Sequence, residues 1–561
     1  MIAGRMYLSA RRALSARMTQ LAKVPVPDVG QPAARRLEPL PGVSALVRGL
    51  PLRFGALWRF IQRVPPLERI ANRLLINQAI NVLPPRPYRL STKRDFTSQA
   101  TLVDKTYNCR QLEPTEAIDP RTTPDARRVL DLFRREEFIP CEKSTVLFAY
   151  VAQWFTDGFL RSDRSIEGKD ERDITRNEST HEIDLAQLYG LDEATTERLR
   201  DAGQPILLAH QGEVGEELPP DLYEADGACV ARFADLRVIG TKHAQVDNAQ
   251  LLAMGSDVSN TQIGYAMLNT LFLREHNRIA REIAEANPRW DDDHVFAAAR
   301  NVLTVLLIKV VIEEYINHIQ PTHFKFRLDP RGFEKQPWMR PNWVAVEFNL
   351  LYRWHSLIPS ELAVGSQTLP LEQTVFRTKD LLATHGLPAL IDSASRQRAG
   401  RVGLRNTPEM LLYRAELPSI EAGRKVRLRG YNEYRRACGF RPAQTFEEIS
   451  SDPRTAAMLR DVYDGDVDDV EFYVGLFAED VRPNSVLPPL IGRLVGLHAF
   501  SQLLTNPLFA PAIYNHEETF SRRGRQIIAE TRSLADVVRR NIPRATSMPL
   551  VALTRQGWQR A

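Results

Sequence analysis

The strongest constraint on this chain is a spacing. Across 266–287 and again across 292–319, apolar residues recur at the three-to-four-residue interval of an α-helix with one buried face. Glu275 to Ile279 and Glu313 to Ile316 interleave charge with aliphatics, as half-buried helices do. The pattern persists from the pair Pro84 and Pro85 almost to the end, while strand signals reduce to 205–209 and 230–239. No repeat of about 20 to 50 residues is visible, which argues against a solenoid. The spacing therefore predicts a mainly α-helical protein.

Composition matters where it excludes classes. The net charge of +5 is spread over 561 residues with acids and bases interleaved, so no nucleic-acid footprint is expected. Cys109, Cys141, Cys229 and Cys438 lie far apart, without a CxxC pair, which predicts reduced thiols and a cytoplasmic location. No apolar run reaches the ~18 to 20 residues of a membrane span. The longest, 302–312, is interrupted by Thr304 and Lys309 and reads as a buried helix.

The N-terminal end has a separate character. Arg5, Arg11, Arg12, Arg17 and Lys23 precede the first acid, Asp28, and no secretory apolar core follows them. A basic helix on a lipid surface, a transit-like leader and a frayed tail all fit. Pro25, Pro27, Pro32, Pro39 and Pro41 then predict a linker, closing a segment 1–42. Residues 43–83 alternate short apolar helices with Arg, broken by Pro51 and by Pro65 and Pro66. They suit either a membrane interface or packing on the main body. A catalytic domain is expected over 84–545 and a tail over 546–561.

The chemistry centres on WVAVEFNLLYRWHSLIPSEL, residues 343–362. It holds His355 in a helix-like apolar stretch, with Trp354 directly before it and Tyr352 three residues earlier. Such a histidine can offer a neutral imidazole to iron. A lone histidine on an apolar face is also an ordinary core residue, and spacing leaves both readings open. The wider match carries more. EFNLLYRWHSLIP resembles the proximal-haem helix of cyclooxygenases, and LFLREHNRIAREI resembles the LREHNR signature of animal-type haem peroxidases. IKVVIEEYINHIQPTHFKFRLDP, AGRVGLRNTP, YNEYRR, RPAQTFEEIS, DVYDGDVDDVEFYVGLFAEDVRP and AFSQLLTNP follow in family order. From about residue 55 to about residue 540 the chain resembles the cyclooxygenase (prostaglandin-endoperoxide synthase)-like branch of the animal-type haem peroxidases, in a bacterial-type form without the cysteine-rich module.

That resemblance implies haem b bound non-covalently, with His355 as axial ligand and Trp354 and Asn349 beside the cofactor. Tyr352 would carry a radical that abstracts hydrogen from an unsaturated fatty acid, after which O2 traps the carbon radical. A phenol delivers one electron and one proton without first becoming its anion. Tyr315 would hydrogen-bond Tyr352, and Ser501 would face the apolar substrate channel. The partners implied are a fatty acid and O2; peripheral attachment to the inner face of the membrane and a homodimer are left open.

Several positions depart from the family pattern. Gln153 is kept, but Asp157 stands where a distal histidine is expected four residues later. A carboxylate is a weaker base than imidazole, so the peroxidase half-reaction is expected to be weak. Asp157 either acts as the acid–base group or is spent in a salt bridge. At the channel mouth Asn77 or Gln78 replaces an arginine and Thr322 replaces a tyrosine, removing the usual ion pair. Leu497 and His498 replace small residues and reshape the channel. Thr261 and Gln262 stand where related enzymes have a haem-linking glutamate, and no calcium is expected. The reading is a haem-dependent fatty-acid dioxygenase giving a hydroperoxide. A hydroperoxide isomerase or peroxygenase using Asp157, or a non-catalytic haem- or lipid-binding relative, remain the alternatives.

Overall fold

Helical spacing becomes helices over most of the chain. The computed structural model describes residues 53–82, 89–90, 106–115, 123–162, 174–211, 217–238, 246–542 and 547–555. The basic segment and the linker, 1–42, lie outside the described residues. The elements that matter for the site are α1 (Gly55–Arg63), α2 (Pro65–Ile80), α3 (Val146–Thr156), α4 (Ile263–Ala286), α5 (Asp292–Val310), α6 (Val346–Leu351), α7 (Leu417–Lys425), α8 (Pro489–Leu504) and α9 (Glu517–Glu530).

The two periodic stretches form the centre. α4 starts at Gln262, whose side chain accepts from the Gly264 backbone amide, and it buries even Asn269, Glu275 and His276. Gly264 is obligatory there, because a Cβ would lie 2.1 Å from the Tyr150 ring. α5 is capped by Asp291 and has Asp292 and Asp293 in its first turn, where carboxylates suit the helix dipole. α4 packs against α3, α5 and α9, which makes it the hub of the core. α5 continues through one π-helical turn, Val311–Ile316, into Asn317–Ile319. By length and composition Asp292–Ile319 would suffice to cross a bilayer, yet 78% of its most apolar window is buried inside the protein. It is a core helix.

Strands are short. β1 (Pro140–Thr145) pairs antiparallel with β4 (Arg398–Gly400), and β2 (Glu361–Val364) with β3 (Gln367–Pro370) form a hairpin. The two strands expected from sequence do not form. Residues 205–209 carry a single bridge, Arg200 to Leu207, and 230–238 contain only a 3₁₀ turn, Ala231–Phe233. Here Arg232 sends its guanidinium to the backbone carbonyls of Glu197 and Arg198, docking the segment on a helix end instead of a sheet.

The described part of 43–83 packs on the body. Trp58 and Ile61 of α1 point inward, with Trp58 edge-on to Phe324 at 5.6 Å. α2 lies along α8; Asn72 bonds both backbone polar groups of Arg327, and Arg73 pairs with Asp329 at 2.6 Å. Phe60 remains 59% exposed between Arg59 and Arg63. At the other end, 547–555 is fastened to β1: the Thr145 amide donates to Leu553 and the Arg555 amide to Lys143. All four cysteines are free, and only Cys229 is exposed.

Candidate active site

The segment that carries His355 is not a continuous helix. α6 ends at Leu351, Tyr352 leaves helical geometry, and His355 opens a single 3₁₀ turn, His355–Leu357. The helix expected through the histidine therefore stops one residue before Tyr352, at Leu351. Tertiary contacts hold the turn: Asn406 and Arg135 bond carbonyls of Ser356 and Ile358. Gly400 lets β4 approach so closely that a Cβ would lie 2.0 Å from the Ser356 carbonyl oxygen.

His355 is oriented from behind. Its Nδ1 lies 3.1 Å from Oε1 of Glu416, a buried carboxylate on a second π-helical turn, Leu412–Glu416, just ahead of α7. Glu416 also accepts from Thr407 Oγ1 at 2.8 Å and from the Tyr473 hydroxyl. With Nδ1 committed as a donor to an anion, the imidazole is held in the tautomer that leaves Nε2 as a lone-pair ligand. Carboxylate, imidazole and available Nε2 form the donor set of a proximal metal ligand, so these residues fit haem iron.

Around Tyr352 the side chains form one connected aromatic wall. Its ring stacks on Trp354 at 4.5 Å and meets Phe348 edge-on at 5.3 Å. Phe348 stacks on His498 at 4.8 Å. Phe148, from α3, stacks on Tyr315 at 5.3 Å and lies over Trp354 at 6.1 Å. Burial pushes the phenols of both Tyr315 and Tyr352 well above their ordinary value, which keeps them protonated as hydrogen-atom donors. The two hydroxyls face each other closely enough that each acts as a hydrogen-bonding neighbour in the other's titration, Tyr315 favouring the Tyr352 phenolate, although the contact falls short of a fully formed hydrogen bond. The two phenols expected from sequence to pair therefore face each other. Tyr315 reaches this position from the π turn that ends α5.

The two positions read as distal lie at the end of α3, Gln153 in its last turn and Asp157 as its C-cap. Gln153 and Asp157, four residues apart, share a face at its C-terminal end. Gln153 Oε1 accepts from Gln262 Nε2 at 2.9 Å, so the cap of α4 also fixes this amide. Asp157 Oδ2 is buried without a hydrogen-bond partner, and the nearby cation Arg161 pairs with Asp257 instead.

The remaining predicted positions divide. Asn349 is tied to the protein, accepting from Arg353 at 2.6 Å and donating to Ser162 at 3.5 Å. Ser501 is buried beside His498 and accepts from Asn342 Nδ2 at 3.0 Å. Leu497 is buried on the same helix, α8. Thr322 donates to the Phe324 carbonyl, and Asn77 accepts from Trp338 Nε1, so neither is a free head-group anchor. Glu416, Asn342 and the Gln153 to Gln262 bond were beyond sequence reasoning. The one available signal was an acid amid apolar residues in MLLYRAELPSI.

A helical core with a carboxylate-tied histidine beside a half-buried tyrosine fits one class: a haem-dependent oxidoreductase. The chain belongs to the animal haem peroxidase family, whose model matches residues 157–552. Within it the likeness is to cyclooxygenases. Prostaglandin G/H synthase 1 of Mus musculus is 32% identical over 467 residues, covering 81% of this chain and 74% of that one. Prostaglandin G/H synthase 2 of Cavia porcellus is 29% identical over 502 residues, covering 87% and 79%. Two solved structures share the fold. Fatty acid alpha-dioxygenase of Oryza sativa superposes with a TM-score of 0.66 at 19% identity, covering 88% of this chain and 94% of that one. Peroxidase A of Dictyostelium discoideum does so with 0.66 at 20%, covering 84% and 100%.

Proposed function

We propose that this protein is a haem-dependent fatty-acid dioxygenase acting through a radical on Tyr352. The observation that carries the reading is Tyr352 itself: a half-buried phenol in an aromatic wall, its hydroxyl enclosed and facing Tyr315, three residues from a histidine fixed by a carboxylate. His355 would hold haem b without a covalent link, and the bound haem would supply a one-electron oxidant for that phenol. The Tyr352 phenoxyl then takes a hydrogen atom from a fatty-acid carbon, O2 adds to the carbon radical, and the peroxyl radical takes the hydrogen back. One C–H bond breaks, one C–O and one O–H bond form, the phenoxyl is regenerated, and a hydroperoxide leaves. The apolar rings exclude water and competing reductants during these steps. The reactions for which the prostaglandin synthases and alpha-dioxygenases are named agree with this reaction class.

A second reading has its own support. Asp157 makes no ion pair with Arg161, and its Oδ2 is buried and unspent. A free carboxylate on the Gln153 face suits acid–base handling of a fatty-acid hydroperoxide. Oxygen uptake and hydroperoxide consumption, measured on wild type, Tyr352→Phe and Asp157→Asn, separate the two. The dioxygenase reading expects Tyr352→Phe to abolish oxygen uptake; uptake at the wild-type rate refutes it. Hydroperoxide consumption that needs Asp157 but not O2 selects the second. For location, we extend the proposal to a cytoplasmic protein resting on the inner face of the membrane through α1, whose exposed Phe60 is flanked by arginines. Flotation with anionic liposomes tests it, and protein left at the bottom of the gradient overturns it.

A further inference from the structure

Three consecutive side chains of the π turn Val311–Ile316 are spent on three separate segments. Glu313 Oε1 accepts from the Leu328 amide at 3.2 Å. Glu314 Oε2 accepts from the Leu534 amide at 2.7 Å. Tyr315 stacks on Phe148 at 5.3 Å and faces Tyr352. Just beyond the turn, Asn317 Nδ2 donates to the Glu313 carbonyl at 2.9 Å, and the same side chain bonds both backbone polar groups of Phe326. A π turn is a rare interruption of an α-helix, so bonds from outside the helix must favour it over the regular backbone.

The bond from Glu314 is the most far-reaching of these. Leu534 opens α10 (Leu534–Asn541), whose capping box joins Ser533 and Asp536. Its amide is one of the first-turn donors that no carbonyl of its own helix can reach. Glu314, 220 residues earlier, supplies the acceptor, where the helix dipole also favours negative charge. Burial pushes the Glu314 carboxyl up to about 7; the Leu534 bond opposes that rise and Asp536 adds to it. The neighbouring charges are engaged elsewhere. Asp536 accepts from the Arg532 and Ser533 amides and pairs with Arg539. Lys309, earlier on α5, donates to the carbonyls of Ile528 and Ala529, with Glu313, Arg327 and Arg532 around it.

We propose that Glu314 is a positioning residue for Tyr315: by binding the start of α10 it holds the π turn in place and keeps the Tyr315 phenol facing Tyr352. The functional consequence rests on the dioxygenase reading, in which the Tyr352 phenol carries the reaction. An ionised acceptor makes the stronger hydrogen bond, so the clamp depends on the charge of Glu314. Above about pH 7 the carboxylate grips the Leu534 amide; below it the neutral acid accepts more weakly, and Tyr315 is freer to leave Tyr352.

The test uses full-length, haem-loaded wild type, Glu314→Gln and Glu314→Leu. Hydrogen exchange followed by mass spectrometry reads residues 311–319 directly, with α4 as the internal reference. Glu314→Leu should raise exchange over 311–319 about ten- to hundredfold, the scale of losing one bond to a charged group, while α4 stays protected. In oxygen uptake with linoleic acid, the wild-type kcat should rise through a step centred near pH 7 at constant KM. Glu314→Gln keeps an acceptor of the same reach but cannot ionise, so it should lose the step. Glu314→Leu should lower kcat at every pH. A packing role alone would change Tm and leave the pH profile untouched. Unchanged exchange over 311–319 in Glu314→Leu overturns the proposal, as does a step that survives in Glu314→Gln. Should Glu314→Leu fail to fold, the glutamine profile decides. Faster exchange in Glu314→Leu, with no oxygen uptake by any of the three proteins, would keep the clamp and sink the dioxygenase reading. Oxygen uptake that needs Tyr352 and is indifferent to Glu314 would do the reverse.

Discussion

Replacing Glu416 by glutamine should weaken haem binding without unfolding the protein. Three donors converge on this carboxylate: His355 Nδ1 at 3.1 Å, Thr407 Oγ1 at 2.8 Å and the Tyr473 hydroxyl. Glutamine keeps the shape and one acceptor oxygen. Its amide nitrogen can donate to Tyr473, whose hydroxyl accepts as readily as it donates. What disappears is the negative charge behind the imidazole. A hydrogen bond to a charged group is worth about 1.5–3 kcal/mol, against about 0.5–1.5 kcal/mol for a neutral one, so the loss is of the order of 1 kcal/mol. Removing a partner behind a metal ligand typically costs ~10–100-fold in metal affinity, or about 1.4–2.8 kcal/mol, which is the same scale. Hemin titration followed at the Soret band measures the affinity. The iron–histidine stretching frequency of the ferrous form, which falls as the imidazole loses its anionic acceptor, measures the electronic effect. Glu416→Leu is the contrasting variant: it leaves three buried donors at about 1–3 kcal/mol each, so it should also lower Tm. Unchanged hemin affinity together with an unchanged stretching frequency in Glu416→Gln would refute the orienting role and leave Glu416 a packing residue.

Two other outcomes rest on the geometry around the site. Gly400→Ala places a methyl group against the Ser356 carbonyl, so the turn behind His355 must shift; the expected cost is about 1–3 kcal/mol in urea unfolding, with a weaker Soret band, and a variant as stable as wild type with the same spectrum contradicts the close approach. Stability should also fall in acid. His276, 2.8 Å from the Tyr189 hydroxyl, is lowered from 6.5 to about 3, with burial the largest cause, and His498 is lowered likewise. Between these values the unfolded chain binds protons that the folded chain refuses. The stabilisation is therefore complete above pH 6.5 and is lost as pH falls towards 3, at about 1.4 kcal/mol per pH unit for each residue. Urea unfolding at several pH values should show a flatter acid slope for His276→Gln; an identical slope would contradict the assignment.

The residues legible in sequence were those whose role is local or repeated. Apolar spacing located α4 and α5 to within a few residues, because a helix with a buried face must repeat its apolar positions. His355 and Tyr352 were found as part of a long ordered match. Glu416 was not, since it meets His355 across 61 residues and no periodicity links the two. Nor could sequence reveal that α6 stops short of Tyr352, where contacts from Asn406, Arg135 and Gly400 override the helical pattern of NLLYRWHS. The strand expected at 230–239 is absent over its described part, 230–238, for the same reason: Val favours extension locally, but the Arg232 guanidinium spends its bonds on distant carbonyls.

Two residues of the site, one named from the family resemblance and one not, arrive by one structural device. Tyr315 lies on the π turn Val311–Ile316, and Glu416 closes the π turn Leu412–Glu416. A π turn inserts an extra residue into a helix and rotates the later residues relative to the preceding face. In α5 the apolar face up to Val310 is committed to the core against α4 and α9. A regular continuation would extend that same face, whereas the widened turn brings a phenol to Phe148 and towards Tyr352. Ahead of α7 the equivalent turn delivers a carboxylate to the back of His355 while Leu412 and Ile420 remain in the core. Less regular backbone hydrogen bonding in each turn is thereby coupled to a side chain that core packing alone would have placed elsewhere. That coupling explains why helical periodicity reads Val311–Ile316 as helix and yet does not by itself reveal where Tyr315 points.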